Sequence, residues 1–283
     1  MNEPSARRAE DDLTLLKTEL HTHTVYCDGK NTPEEMLLSA IEKGFLRYGF
    51  SGHSETFFDH SYCMTAEKTE AYKKEIARLK RTYGDRIEIY CGVEQDYYST
   101  ASTDGYDYVI GSVHYLKFGD DYVPVDEGNG NLLRAAENYC GGDILSVFEK
   151  YYETVSDVVR RTGCDIIGHF DLPTKYLERE PLFDLNEPRY VAAWQKAANV
   201  LLQTDAVFEM NSGAVSRGKR DTPYPADDIL AYLSKNGGKV LFSGDAHSRD
   251  GIGCLFDRMD EKRRRHGLKL ALPRFLRTDR YSI

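Results

Sequence analysis

Two histidines separated by one residue, His21 and His23 in the run HTHTVYCDG, can bind one divalent metal ion together. Residues two apart on an extended strand point to the same face, so both imidazoles reach a common point. Asp28, in the turn just beyond, adds a carboxylate. The run SGDAH repeats the arrangement with Asp245 and His247. Four more ligand-type residues each close an apolar run: His53 in FSGH, Glu94 in YCGVE, His114 in VIGSVH and His169 in DIIGH. Any one alone reads as well as an exposed or satisfied strand end. Six of the eight histidines sharing that position do not. The other two, His60 in a loop and His266 in the basic helical tail KRRRHG, stay outside the set.

Six imidazoles and three carboxylates exceed the four ligands of one zinc ion. They suit two or three ions of Zn, Fe or Mn at mixed nitrogen and oxygen sites, bridged by a carboxylate and a hydroxide. Such a centre suits hydrolysis of a phosphate ester. The metals lower the pKa of a bound water and neutralise charge on the in-line transition state. The chain has no G-x-S-x-G elbow, P-loop or dinucleotide fingerprint, so metal-bound hydroxide is the expected nucleophile.

The elements that must position these residues alternate. Seven strand-like runs (LLKTELHTH, RYGFSGH, IEIYCGVE, YDYVIGSVH, CDIIGHF, AVFEMN and KVLFSGDAH) are interleaved with helical patterns. Thr32-Pro33-Glu34-Glu35 opens one helix with an N-cap and a capping-box Glu, and Lys43-Gly44 closes it. Thr65 opens a second, Asp143 to Arg161 reads as a third, and Asp227 to Lys235 as a fourth. This order predicts a parallel α/β fold, closed or open. Every strand-like run ends in ligand-type residues, Glu209 and Asn211 included. In a closed barrel those ends converge on one rim, whereas an open sheet spreads them along a line. The barrel is therefore expected.

With 283 residues, 41% of them hydrophobic, the chain can fill such a core. It contains neither an apolar stretch long enough for a transmembrane helix nor an apolar N-terminal leader, and a cytoplasmic location is expected. Residues 1–13 read as a flexible segment and 14–283 as a single domain. A net charge of −9 gives no broad basic face, so no nucleic-acid partner is expected. Six scattered cysteines without a C-x-x-C pair suggest free thiols in a reducing compartment. Homo-oligomerisation is compatible with the sequence.

With these residues in place, the chain resembles the PHP (polymerase and histidinol phosphatase) superfamily, and within it the PHP-type histidinol-phosphate phosphatases. The likeness runs through HTHTVYCDG (21–29), GFSGHSE (49–55), CGVEQDY (91–97), YDYVIGSVHYL (106–116), GHFDLPTKY (168–176), FEMNSGAVSRGKRDTPYP (208–225) and SGDAHSRDGIG (243–253). The resemblance implies a distorted (β/α)7 barrel, TIM-like, with a trinuclear metal site. His21, His23, Glu94 and Asp245 would hold one metal. Glu94 would bridge to a second, shared with His114 and His169, while Asp28, His53 and His247 would hold the third. The implied reaction is hydrolysis of L-histidinol phosphate in histidine biosynthesis, with Asp245 or His53 handling protons.

One position departs from the family. Thr174 stands where the family often has Arg, so Lys175 or Arg217 is the candidate grip on phosphate. The polar, Gly-rich segment 117–142 reads as a long loop on the active rim, where Asp126 and Glu127 would meet a cationic amine. Two other functions fit the same residues: a PHP phosphoesterase acting on nucleotides or oligonucleotide ends, and a non-catalytic metal-binding PHP domain.

Overall fold

The structure, a computed structural model, describes residues 14–277. The N-terminal segment 1–13 lies outside the described residues.

Each of the seven apolar runs forms a strand, and all seven lie parallel. In chain order they are β1 (Thr18–Glu19), β2 (Arg47–Phe50), β3 (Glu88–Asp96), β4 (Tyr108–Ser112), β7 (Ile166–Ile167), β8 (Val207–Asn211) and β9 (Lys239–Ser243). Two shorter strands, β5 (Tyr115–Phe118) and β6 (Asp121–Pro124), make a separate antiparallel hairpin. An unforeseen eighth parallel strand, β10 (Lys269–Leu270), pairs with the start of β9. Its run, LKLAL, ends in no ligand-type residue, so it lacks the mark the other seven share. The order across the sheet is β1-β2-β3-β4-β7-β8-β9-β10.

The sheet curls far enough to meet itself. A parallel bridge joins Thr22, beyond β1, to Ala246, beyond β9. Its hydrogen bonds run from His23 N to Ala246 O (2.9 Å) and from Ala246 N to His21 O (3.1 Å). The barrel thus closes at its C-terminal rim, through backbone lying between candidate ligands.

Below the rim the interior is filled with side chains. Leu20, Tyr108, Ile110, Ile166, Val207 and Leu241 form an inner cluster, with Leu276 of the C-terminal segment packed among them. Tyr108 crosses this space, donating from its hydroxyl to Phe50 O at 3.1 Å and also to Leu20 O. On β4, β8 and β9 the inward residues change from apolar to polar along the strand: Ile110 to Ser112, Val207 to Glu209, Leu241 to Ser243. Period-two alternation thus serves both a dry base and a polar rim.

Helices pack around the outside. The helix Pro33–Glu42 begins with the capping box read from Thr32 and Glu35, and Thr65 caps Ala66–Tyr83. The helix read from Asp143 to Arg161 is two helices, Ile144–Ser156 and Val158–Thr162, broken at Asp157. The segment 117–142 is not a loop throughout. It contains most of the β5–β6 hairpin and a helix, Asn129–Tyr139, that buries Leu132, Ala135 and Ala136. That helix starts at Gly128 without a side-chain cap, so the usual signal for a helix start is missing. Among the described residues no helix is long and apolar enough to cross a membrane. All six cysteines are free.

Candidate metal centre

Glu94, on β3, stands at the middle of five imidazoles. Its Oε2 lies 3.1 Å from His21 Nε2, 3.4 Å from His23 Nε2 and 3.0 Å from His53 Nδ1. Its Oε1 lies 3.3 Å from His114 Nε2 and 3.0 Å from His169 Nε2. Asp245 Oδ1 approaches His23 Nε2 to 3.2 Å. Asp28 joins on the open side, with Oδ2 3.1 Å from His247 Nε2 and Oδ1 3.7 Å from His53 Nε2. All nine residues singled out in the sequence therefore meet in one place.

The donor set fits metal ions. His21 Nε2, His23 Nε2 and Glu94 Oε2 are fully buried and find no hydrogen-bond partner, although they face one another. Buried polar atoms left in that state are costly unless something binds them. A tetrahedral shell with bonds of about 2.0–2.2 Å sets neighbouring donors roughly 3.3–3.6 Å apart, close to the spacings found here. Three groups bring their donor atoms within 4.8 Å of one another: His23, Asp28, His53 and His247; His21, His23 and Glu94; His53, Glu94 and His114. These side chains can hold divalent metal.

A second ring of residues orients the first. Glu209 Oε1 accepts from His21 Nδ1 at 2.5 Å, and its Oε2 accepts from His169 N at 2.8 Å. Ser112 Oγ donates to Glu94 Oε1 at 2.6 Å. Asp96 Oδ2 lies 3.3 Å from His114 Nδ1. The sequence reading noted Glu209 as a polar strand end without giving it a role, and missed Ser112 and Asp96. Inward parity at the strand tops was the available signal.

Burial alone would push the Glu94 carboxyl up, but His21, His53 and His114 outweigh it and hold the group well below the usual range. Asp245 is likewise held low against its burial, by Arg217 and His21. Burial would lower His21, yet Glu209, Glu94 and Asp245 raise it well above an ordinary histidine. His114 is raised in the same way by Glu94 and Asp96. His23 goes the other way: burial, with His247 and His53 nearby, lowers it to about 3.

A cavity of about 260 Å³ opens over the cluster. Lys175 and Arg217 both line it, as expected, and neither is free. Lys175 Nζ pairs with Asp126 at 2.8 Å. Arg217 donates to Asp245 O at 2.8 Å and to Asp245 Oδ2 at 3.2 Å. Thr174 is buried and does not line the cavity; its Oγ1 accepts from Arg220 Nη1 at 2.6 Å. Arg220, which the sequence reading passed over, also stacks on Tyr224 with its guanidinium carbon 4.1 Å from the ring centre. Asp126 and Glu127 line the cavity beside Tyr62 and Tyr115. The two histidines left out are elsewhere: His60 lies 3.9 Å from Glu55 and His266 pairs with Asp227 at 2.8 Å.

The family model described as "PHP domain" matches residues 19–213, more than half of the chain. The chain belongs to the PHP domain family. Two relatives named "Probable histidinol-phosphatase" are each 26% identical to this PHP chain. That of Schizosaccharomyces pombe aligns over 83% of the chain and 82% of its own length. That of Deinococcus radiodurans aligns over 83% and 88%. Among solved structures, the histidinol phosphate phosphatase of Lactococcus lactis, complexed with zinc, L-histidinol and phosphate, superposes with a TM-score of 0.68 at 19% identity. The superposition covers 90% of this chain and 96% of that one. At that identity the likeness establishes the shared barrel.

Proposed function

We propose that this PHP chain is a metal-dependent phosphomonoesterase that hydrolyses L-histidinol phosphate to L-histidinol and phosphate, a step of histidine biosynthesis. The observation that carries the reading is Glu94 within reach of five histidine nitrogens, two at one carboxylate oxygen and three at the other. A carboxylate so placed suits a bridge between metals. The substrate assignment rests on the names of the relatives and on the ligands held by the Lactococcus protein.

Two to three ions of Zn, Fe or Mn are inferred. His21, His23, Glu94 and Asp245 would hold the first; Glu94, His114 and His169 the second; Asp28, His53 and His247 the third. When bound, they would supply a water of lowered pKa and neutralise charge on the phosphoryl group. Lys175 and Arg217, both lining the cavity, would bind the phosphate oxygens by exchanging part of their contact with Asp126 and Asp245. Asp245, whose carboxylate lines the cavity, is the candidate proton acceptor during attack by water. With two ions bound and the third site empty, His53, which also lines the cavity, is the candidate donor to the departing alcohol oxygen. Asp126 and Glu127 would face the cationic end of the substrate.

The test compares phosphate release from L-histidinol phosphate, nucleoside monophosphates and short DNA, with and without a chelator. The reading predicts a strong preference for L-histidinol phosphate, abolished by chelation. Equal or better turnover of the nucleotide substrates would overturn it.

A further inference from the structure

Glu209 touches two of the candidate ligands without reaching the cluster itself, and its four hydrogen bonds differ in what they permit. Oε2 accepts from His169 N at 2.8 Å and from Asn211 Nδ2 at 2.9 Å. Neither donor can reverse. One is a backbone amide. The other belongs to a side chain whose Oδ1 already accepts from Gly213 N at 2.8 Å, which fixes the amide orientation. Oε1 faces His21 Nδ1 at 2.5 Å and Ser243 Oγ at 2.5 Å. A carboxylate only accepts, so His21 Nδ1 must carry the proton at this contact. The lone pair of the neutral ring then sits on Nε2, the atom that faces Glu94 Oε2 at 3.1 Å. Every residue in this chain of contacts is buried.

We infer that Glu209 is the positioning residue that selects which nitrogen of His21 binds metal. The inference rests on the assignment of His21 as a ligand made above. It also says why a carboxylate is needed rather than any acceptor. In Glu209→Gln the two fixed donors hold the amide oxygen at the Oε2 position. The amide NH2 must then take the Oε1 position, against His21 Nδ1. It donates to that nitrogen and drives the proton to Nε2, where it blocks the metal. An isosteric change thus acts through one ring, as carboxylate partners of metal-ligating histidines do elsewhere.

The experiment titrates the full-length chain with Zn2+ alone against a chelating dye, for wild type, Glu209→Gln, His21→Ala and the double variant, with circular dichroism as the fold control. The expected result is a folded Glu209→Gln protein in which one equivalent of Zn2+ binds about 10–100-fold more weakly. His21→Ala loses that same equivalent, and Glu209→Gln has no further effect in the His21→Ala background. Wild-type affinity in Glu209→Gln, or a loss that adds to that of His21→Ala, would overturn the inference. Full Zn2+ binding at wild-type affinity by His21→Ala would instead overturn the ligand assignment beneath it. Should Glu209→Gln fail to fold, 15N NMR of the histidines in the Zn2+-loaded wild type decides: a His21 ring protonated at Nδ1 and metal-bound at Nε2 upholds the inference, and metal at Nδ1 overturns it.

Discussion

Gly213 lies directly against Asp245: a Cβ on Gly213 would fall 2.5 Å from Asp245 Oδ2 and 2.7 Å from Asp245 Cβ. Asp245 is itself a non-glycine residue with φ of 44°, a left-handed conformation that its surroundings must enforce. The loop after β8 therefore shapes the last ligand strand from outside, by leaving room for it. Gly213→Ala should displace the Asp245 carboxylate, lowering metal content and turnover by roughly tenfold or more, in the range seen when groups supporting a ligand are lost. Metal analysis and steady-state kinetics on the folded variant check this; unchanged metal content would mean that the loop yields instead.

Glu94→Gln removes the central negative charge while keeping the shape. The five facing imidazoles then lose their shared counter-charge, and the proposed bridge loses an oxygen ligand. Metal content should fall by at least one equivalent and turnover by about 100-fold or more, with the barrel still folded. Elemental analysis beside a phosphate-release assay reads both.

Metal uptake should release protons. His21 and His114 are held well above the ordinary histidine range in the metal-free protein, so each carries a second ring proton at neutral pH, which a metal must displace. His23, at about 3, contributes none. The apparent affinity should therefore rise with pH through the neutral range. Calorimetry in buffers of different ionisation enthalpy should show net proton release, reduced in His21→Ala.

Lys175→Ala and Arg217→Ala should separate anion grip from metal chemistry. Lys175 pairs with Asp126, which is not one of the nine candidate ligands, so its loss should raise KM by about tenfold, with kcat much less affected. Arg217 also holds Asp245 Oδ2 at 3.2 Å, so Arg217→Ala should lower kcat as well. Steady-state kinetics on both variants, with metal content measured alongside, distinguish the two patterns.

The cluster was legible because its members interrupt apolar runs at one recurring place, the C-terminal end of a parallel strand. His21, His53, Glu94, His114, His169 and Asp245 could be aligned without knowing any distance. What supports them was not legible. Glu209 bonds to a histidine 188 residues away, and Arg220 bonds to Thr174 across 46 residues. Such contacts depend on register and curl, which side-chain periodicity leaves open. The helix Asn129–Tyr139 was hidden by its uncapped glycine start, and the Asp143–Arg161 pattern ran unbroken over the interruption at Asp157. The departure at Thr174 was visible, but the arginine that meets it comes from another strand-end loop.

Glu94, with histidine nitrogens at both carboxylate oxygens, is proposed to join two metal sites. This bridge is tested most directly by anomalous diffraction from crystals grown with Zn2+ and phosphate. Two ions are predicted, one bonded to each oxygen of Glu94 at about 2.0–2.2 Å, with His114 and His169 on one and His21 and His23 on the other. Ions found only away from Glu94, in a protein that still releases phosphate, would contradict it.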